Sequence, residues 1–235
     1  AVTSVTLATE LYAKWVPNQA SYKIVYWIEN ADDSNYTYEN SGTGTGTVEQ
    51  KVVLTSAQIS TNHIDGSYSK YFSYKSYDQN EIIAGDGSTV VNVYFERKEY
   101  TINFIFSDQG KIYIGTKLVT YFQSPQIVIG VNEYSTTYSF TAKYESNISD
   151  KWPTAENVTS NPTIREGGKI STYYLETFKG NNQSMKSKRL VLTADLIGGD
   201  TTTYKASWES GLVAVTLHYM LQPNSGSKNH TDYID

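Results

Sequence analysis

The chain has 235 residues, 39% of them hydrophobic, and a formal net charge of −5. This length permits two ordinary domains or one large all-β unit, and the apolar runs have the length of strands rather than of membrane spans. A nucleic-acid-binding domain would carry a basic face, whereas the only tight basic cluster here is Lys186, Lys188 and Arg189. We therefore expect no nucleic-acid partner and no membrane insertion by this segment.

Cysteine is absent, and tyrosine is frequent, with 21 residues against 7 phenylalanines. Long secreted eukaryotic domains usually carry disulfides, so the absence of cysteine favours a cytosolic protein or a surface protein of a Gram-positive bacterium. Tyrosine buries its ring while its hydroxyl stays hydrated, which suits half-exposed strands and also recognition surfaces. Because the sequence shows neither a secretion signal nor a sorting tail, we expect a mature piece of a longer protein.

In the first half of the chain, strand-like segments alternate with turns. Residues 22–27 are rich in β-branched and aromatic side chains, which predicts a strand. The same reasoning predicts further strands over residues 48–54, 68–77 and 89–95. The glycines of residues 42–46 and 85–87 predict turns. Residues 54–63 form the best helix candidate, because a Thr-Ser pair near its start could cap it.

The second half begins in the same way, since residues 100–106 repeat the aromatic and β-branched pattern of residues 22–27. Residues 107–110 predict a turn, and residues 147–153 predict a loop. The tail from Pro223 is polar, and we expect it to be loose. Further strands are predicted over residues 111–114, 117–122, 126–131, 137–144, 169–178, 189–194, 201–208 and 213–221.

A short motif recurs at residues 11–15 (LYAKW), 140–144 (FTAKY) and 204–208 (YKASW). In a strand, its two outer large residues and the central alanine share one face, so the motif predicts a buried strand that closes a module. Repeated opening and closing strands indicate a modular array. The expected units are the end of a preceding repeat at 1–15, one module at 16–98, a longer β-rich binding unit at 99–210, and the start of a further unit or a loose tail at 211–235.

Parts of this sequence resemble repeats of bacterial surface proteins. Residues 11–17 (LYAKWVP) resemble the terminal motif of the Listeria–Bacteroides repeat, found in internalin-B-type and other Gram-positive surface proteins. Residues 22–33 (YKIVYWIENADD) and 85–98 (GDGSTVVNVYFERK) resemble the start and end of modules found beside those repeats in large adhesins. The resemblance extends as far as Phe106 and weakens from Ser107 onward.

The resemblance implies tandem β-grasp-like modules, in which a mixed sheet wraps one helix. We therefore expect a mainly β fold, with an α+β first unit and a larger, β-rich second unit. The helix candidate at residues 54–63 lies where such a fold needs its helix. The resemblance also implies an extracellular location, on a cell-wall-anchored parent protein or secreted, with adhesive or spacer roles. It transfers no catalytic residues.

The sequence offers few groups for catalysis. Without cysteine, a Ser or Thr nucleophile would need a histidine base, and the chain has three histidines. His63 ends the helix candidate and is better interpreted as a cap, His218 alternates within a predicted strand, and His230 lies in the polar tail. No histidine pair has zinc-site spacing. We therefore predict no catalytic residue, no resident metal and no cofactor.

The sequence also allows two other kinds of site. Asp32 and Asp33 with nearby Glu29, or Asp86 in its glycine turn, could attract Ca²⁺ through oxygen ligands, although ordinary turns explain both patterns. A Lys–Asn isopeptide cross-link is a further alternative. It would start from an early strand lysine such as Lys23 or Lys111, but the sequence does not single out an asparagine.

The main functional hypothesis is a ligand-binding segment of a bacterial surface repeat protein. The partner would be a host extracellular protein or glycan, such as a mucin-type glycan, a matrix protein or an immunoglobulin. The alternative is a passive stalk whose modules bind nothing. A glycosidase fragment is a third hypothesis, which the absence of a tryptophan-rich pattern argues against. The sequence alone does not identify contact residues.

Overall fold

The structure is a computed structural model that describes residues 12, 13, 16 and 18–211. Across these residues the protein is mainly β, as predicted, and none of their helices is long and apolar enough to cross a bilayer. The strands are β1 Gln19–Glu29, β2 Tyr36–Thr47, β3 Phe72–Tyr77, β4 Val90–Arg97, β5 Glu99–Ile105, β6 Lys111–Ile114, β7 Lys117–Thr120, β8 Gln126–Ile129, β9 Asn132–Tyr134, β10 Thr137–Lys143, β11 Val158–Ser160, β12 Thr163–Glu166, β13 Lys169–Gly180, β14 Gln183–Met185 and β15 Thr201–Ser210. Short 3₁₀ helices occur at Thr61–His63, Ser69–Tyr71, Ala155–Asn157 and Ala194–Leu196.

The first sheet has four strands in the order β2-β1-β4-β3. β1 is antiparallel to β2 and parallel to β4, and β3 is antiparallel to β4. Side chains alternate between two faces because the strand period is two. On β1, Tyr22, Ile24 and Tyr26 are buried on the inner face, whereas Ser21 and Lys23 are exposed on the outer face.

The predicted helix at residues 54–63 is absent, so the expectation of an α+β first unit is wrong. The capping interactions do form, since the Thr55 N–H donates to Gln58 Oε1 at 2.9 Å and the Gln58 N–H donates to Thr55 Oγ1 at 3.3 Å. The helix stops after one turn because short polar side chains compete for the backbone. The Asn62 N–H, for example, donates to Ser60 Oγ at 3.2 Å. An irregular segment that buries Leu54 and Ile64 occupies the helix's place in the core.

The glycines of residues 42–46 do not form the predicted turn, because they lie within β2. They alternate with threonine, and they make room for tyrosine rings of β1. A Cβ atom on Gly44 would lie 2.2 Å from Tyr22 Cζ, closer than atoms can approach. Glycine inside a strand often marks such a close approach.

Two predicted strands are also wrong. Residues 48–54 contribute only the isolated bridge of Lys51 with Ile82, because Glu49 has a φ of 65° that interrupts the extended chain. Residues 189–194 contribute only the bridge of Val191 with Asn147. The predicted strand at 213–221 lies outside the described residues.

The remaining strands form an eight-stranded sheet and a three-stranded sheet. The larger sheet has the order β10-β5-β15-β13-β12, with β14 beside β13 and the β6–β7 hairpin beside β15, and the smaller sheet is β11-β8-β9. The central strands of the larger sheet repeat the arrangement of the first sheet. β5 is antiparallel to β10 and parallel to β15, and β15 is antiparallel to β13. The second half of the chain is longer than the first, and part of its extra length lies in strands β6–β9, between β5 and β10.

Two copies of the recurring motif occupy buried strand faces, as predicted. Their buried residues are Phe140, Ala142, Tyr144, Tyr204, Ala206 and Trp208. The copy at 204–208 lies on β15, which is the last described strand. The copy at 140–144 covers the end of β10 and does not close a unit, because four of the eight strands of the larger sheet follow it in the sequence. The copy at 11–15 lies mostly outside the described residues.

The two larger sheets meet at a tight junction. One residue, Lys98, separates β4 from β5. The rings of Tyr71 and Tyr144 stack across the junction with centroids 3.9 Å apart. Arg97, whose side chain is 9% exposed, donates to the Glu29 carbonyl at 2.7 Å, to the Tyr144 carbonyl at 3.1 Å and to Glu145 Oε2 at 2.6 Å. The expected unit boundary after residue 98 remains a prediction.

Glu29 is a second link across the junction and is only 7% exposed. Its Oε1 accepts a hydrogen bond from Lys143 Nζ at 2.7 Å, and its Oε2 accepts one from the Arg97 backbone N–H at 3.0 Å. Burial alone raises the pKa of Glu29, but the two hydrogen bonds and the charge of Lys143 outweigh burial, so the pKa lies below its ordinary value.

This lowered pKa predicts a pH dependence of stability. A carboxyl group with a depressed folded-state pKa stabilises the fold above its unfolded pKa, which is about 4.3 for glutamate, and this stabilisation disappears as the pH falls through the folded pKa. Glu29→Gln should therefore be less stable than wild type at pH 7, and the difference should shrink below about pH 4. Urea unfolding of both proteins from pH 3 to 7 measures this difference in stability. A pH-independent difference would contradict the prediction.

Candidate binding surface

Three aromatic side chains lie side by side on the outer face of the first sheet. The strand register pairs Trp27 of β1 with Tyr38 of β2 on one side and with Tyr94 of β4 on the other. Tyr36, two residues before Tyr38 on β2, reaches across β1 so that its ring lies 5.0 Å from the Tyr94 ring. We call Trp27, Tyr36, Tyr38 and Tyr94 the aromatic face.

Two β-bulges flank this row of aromatic residues. Glu39 is the unpaired residue of β2, and Lys75 is the unpaired residue of β3. Bulges re-aim side chains and are frequent near functional sites. Lys75 Nζ lies 2.7 Å from the Tyr36 hydroxyl and 5.4 Å from the centre of its ring. The hydrogen bond with Tyr36 raises the pKa of Lys75.

Hydrogen bonds hold the rings of the aromatic face in place. Trp27 Nε1 donates to Asn92 Oδ1 at 2.8 Å, and Asn92 Nδ2 donates in turn to Asp78 Oδ2 at 2.7 Å. The Trp27 and Tyr38 rings meet edge to face with centroids 6.2 Å apart, which is a favourable geometry for aromatic pairs. Burial, and then the Asp78 carboxylate, raise the pKa of Tyr94, so its hydroxyl stays protonated.

The aromatic face is accessible to a partner. Tyr38 is 53% exposed, and the other three rings are half-buried. The indole N–H and the Lys75 ammonium already have partners within the sheet, so these rings offer mainly apolar area in a fixed arrangement. Such an arrangement can bind the apolar surface of a protein or a sugar.

The structure does not bring the acidic residues of the calcium hypothesis together. Glu29 is paired at the junction, Asp32 Oδ1 accepts the Asn147 N–H at 2.7 Å, and Asp33 Oδ1 accepts the Asn35 N–H at 2.7 Å. Asp86 Oδ1 accepts a hydrogen bond from the Ser88 N–H at 3.0 Å, as an ordinary turn does. Within the part of the chain that the structure describes, no three His, Asp or Glu side chains are grouped for a metal ion.

The remaining candidate residues are the three histidines and the two lysines of the isopeptide alternative. The ring of His63 stacks on Tyr26 at 4.1 Å, with Nε2 2.9 Å from the Ala57 carbonyl oxygen. His218 and His230 lie outside the described residues. Lys23 and Lys111 are exposed, so neither lies in the buried surroundings that an isopeptide bond needs.

The basic cluster is partly neutralised by acidic neighbours. Arg189 pairs with Asp195 at 2.7 Å, and Lys186 lies 3.7 Å from Glu176. This local pairing leaves less positive charge for a partner than the sequence cluster offers.

No family model matches the chain, and no curated protein matches it. Among solved structures, Mub-RV is 12% identical, and the match covers 80% of this chain and 99% of that one with a TM-score of 0.21. The type 2 repeat of the mucus binding protein MUB from Lactobacillus reuteri is 8% identical, with coverage of 80% and 100% and a TM-score of 0.22. Scores this low do not establish a shared fold.

Proposed function

We propose that this chain is a non-catalytic segment of a bacterial surface repeat protein, and that its aromatic face binds a host extracellular protein or glycan. The observation that carries the proposal is the fixed, partly exposed group of Trp27, Tyr36, Tyr38 and Tyr94 on one sheet face. The repeated strand arrangement and the resemblance to surface repeats support the extracellular location. The parent protein is either anchored to the cell wall or secreted.

The aromatic face suits binding for energetic reasons. Tryptophan and tyrosine are enriched among residues that dominate binding energy, because they bury large areas. Immobilising a side chain on binding costs about 0.5–1.5 kcal/mol, and this cost falls when the side chain is already held in place. Hydrogen bonds and ring contacts already hold Trp27 and Tyr36 in the free protein.

We expect Tyr38→Ala to weaken binding about thirtyfold, corresponding to roughly 2 kcal/mol for an aromatic residue that contributes strongly to binding. Tyr38 is the suitable position because it is the most exposed of the four rings, so its removal leaves the sheet intact. Wild-type protein is first applied to an array of mucin-type glycans, matrix proteins and immunoglobulins. The dissociation constants of wild type and variant for the captured ligand are then compared by biolayer interferometry.

The matched control is Tyr174→Ala on β13, because Tyr174 is 48% exposed and lies on the other large sheet. This variant should bind as tightly as wild type. The proposal fails if the wild-type chain retains no ligand above a blank surface, or if the two variants bind equally well.

A passive stalk is the second candidate function, and the junction favours it. The buried Arg97 and Glu29 contacts and the Tyr71–Tyr144 stack fix one sheet against the other, as a spacer of constant length requires. The same array separates the two functions, since a stalk binds nothing. The binding unit expected at residues 99–210 and the β-grasp relationship both remain predictions.

A further inference from the structure

The outer face of the larger sheet carries a groove of about 400 Å³ at β5, β10 and β15. Its volume falls in the range of small-molecule sites, which is about 300–1,000 Å³. Its lining includes Asn103, Ser139, Thr203 and Tyr134 but no acidic or basic residue. Because the lining contains no Asp, Glu, Lys, Arg or His, the groove walls carry no formal charge at neutral pH.

Three polar side chains form a row across the groove. The strand register pairs Asn103 with Ser139 on one side and with Thr203 on the other. Neighbouring strands are about 4.8 Å apart, which sets the spacing of the row. In the described part of the chain, none of these three side chains forms a hydrogen bond with another residue, whereas the polar groups beside Trp27 are already paired.

This row matches the chemistry of a sugar. Alternate equatorial hydroxyls of a hexopyranose are separated by about the distance between neighbouring strands. Hydroxyl and amide groups can each donate and accept, as sugar hydroxyls require. Tyr134, which is half-buried, also lines the groove and offers an aromatic surface for the apolar face of a pyranose. A charged sugar would find no counter-ion in this lining.

We propose that this groove binds a neutral hexopyranose unit of a glycan through Asn103, Ser139 and Thr203, with Tyr134 against the sugar ring. The site lies on a different sheet from the aromatic face, so this inference does not rest on the proposed function of that face. It gives residues 99–210 a binding role of their own.

The test is an NMR titration of the full chain with methyl β-D-galactopyranoside, methyl β-D-glucopyranoside and N-acetylneuraminic acid. We expect at least one neutral glycoside to shift the backbone amides of residues 103, 139 and 203, and the acidic sugar to leave them unchanged. Thr203→Val keeps the β-branched shape but removes the hydroxyl, and should weaken binding about tenfold for one lost hydrogen bond. Ser139→Ala should act similarly.

The matched control is Thr201→Val, because Thr201 is exposed on the same strand but lies outside the groove lining. It should titrate like wild type, and so should Tyr38→Ala, which separates this site from the aromatic face. The amide spectrum also reports whether each variant is folded. The inference is overturned if neither neutral glycoside shifts the three amides, if the acidic sugar binds more tightly, or if Thr201→Val weakens binding as much as Thr203→Val.

Discussion

Replacing Trp208 with alanine is expected to lower the free energy of unfolding by about 3–5 kcal/mol, as large-to-small changes of buried aromatic residues do. Trp208 is fully buried on β15, opposite Leu175 of β13. Its Nε1 also donates to the Phe106 carbonyl at 3.0 Å, so the variant leaves a cavity and an unpaired buried oxygen. Urea unfolding followed by circular dichroism measures the change.

Trp208→Phe is the matched variant for this prediction. It keeps most of the buried area but removes the indole N–H, so only the cost of the unpaired Phe106 carbonyl and some lost packing remains, about 1–3 kcal/mol. If Trp208→Ala were no more destabilising than Trp208→Phe, the recurring motif would not be a core element of this sheet.

Replacing Arg97 with methionine should cost about 3 kcal/mol and loosen the junction. Methionine fills a similar space but leaves the buried carbonyls of Glu29 and Tyr144 without their side-chain donor, at roughly 1–3 kcal/mol each when no other partner replaces it. The ion pair with Glu145 adds little, because the Glu145 side chain is 43% exposed. Urea unfolding measures the change in the free energy of unfolding. Small-angle X-ray scattering shows whether the protein becomes more variable in length.

A surface lysine provides the control for Arg97. Lys186 pairs with Glu176 at 3.7 Å, but its side chain is 71% exposed. Lys186→Met should therefore change stability by less than about 1 kcal/mol. A stable Arg97→Met variant with an unchanged scattering profile would show that the junction does not depend on this side chain.

Alternation along the sequence located the buried strands that open the two larger sheets. Ile24 and Tyr26 on β1, and Ile102 and Phe104 on β5, follow the period of two that one buried sheet face imposes. The recurring motif was also placed on buried strand faces correctly, because its large and small residues share that period. The alternation and the recurring motif each lie within one short segment, so both can be recognised in a single sequence.

Features that depend on distant parts of the chain were missed. The glycines of β2 suggested a turn, because the sequence does not show that the Tyr22 ring lies against Gly44. Because β2 was not predicted, Tyr38 could not be placed beside Trp27 from the sequence. The contact between Trp27 and Asn92 joins residues 65 positions apart and depends on the register of β1 with β4. The aromatic face therefore required the structure.

The parallel pairing of β1 with β4, and of β5 with β15, has a mechanical consequence. In each sheet the strand that enters lies beside the strand that leaves, and the two point the same way. A pulling force applied to the two ends would load their interstrand hydrogen bonds in shear, all at the same time, instead of peeling them apart one by one. This arrangement resists extension through hydrogen bonds that must break together.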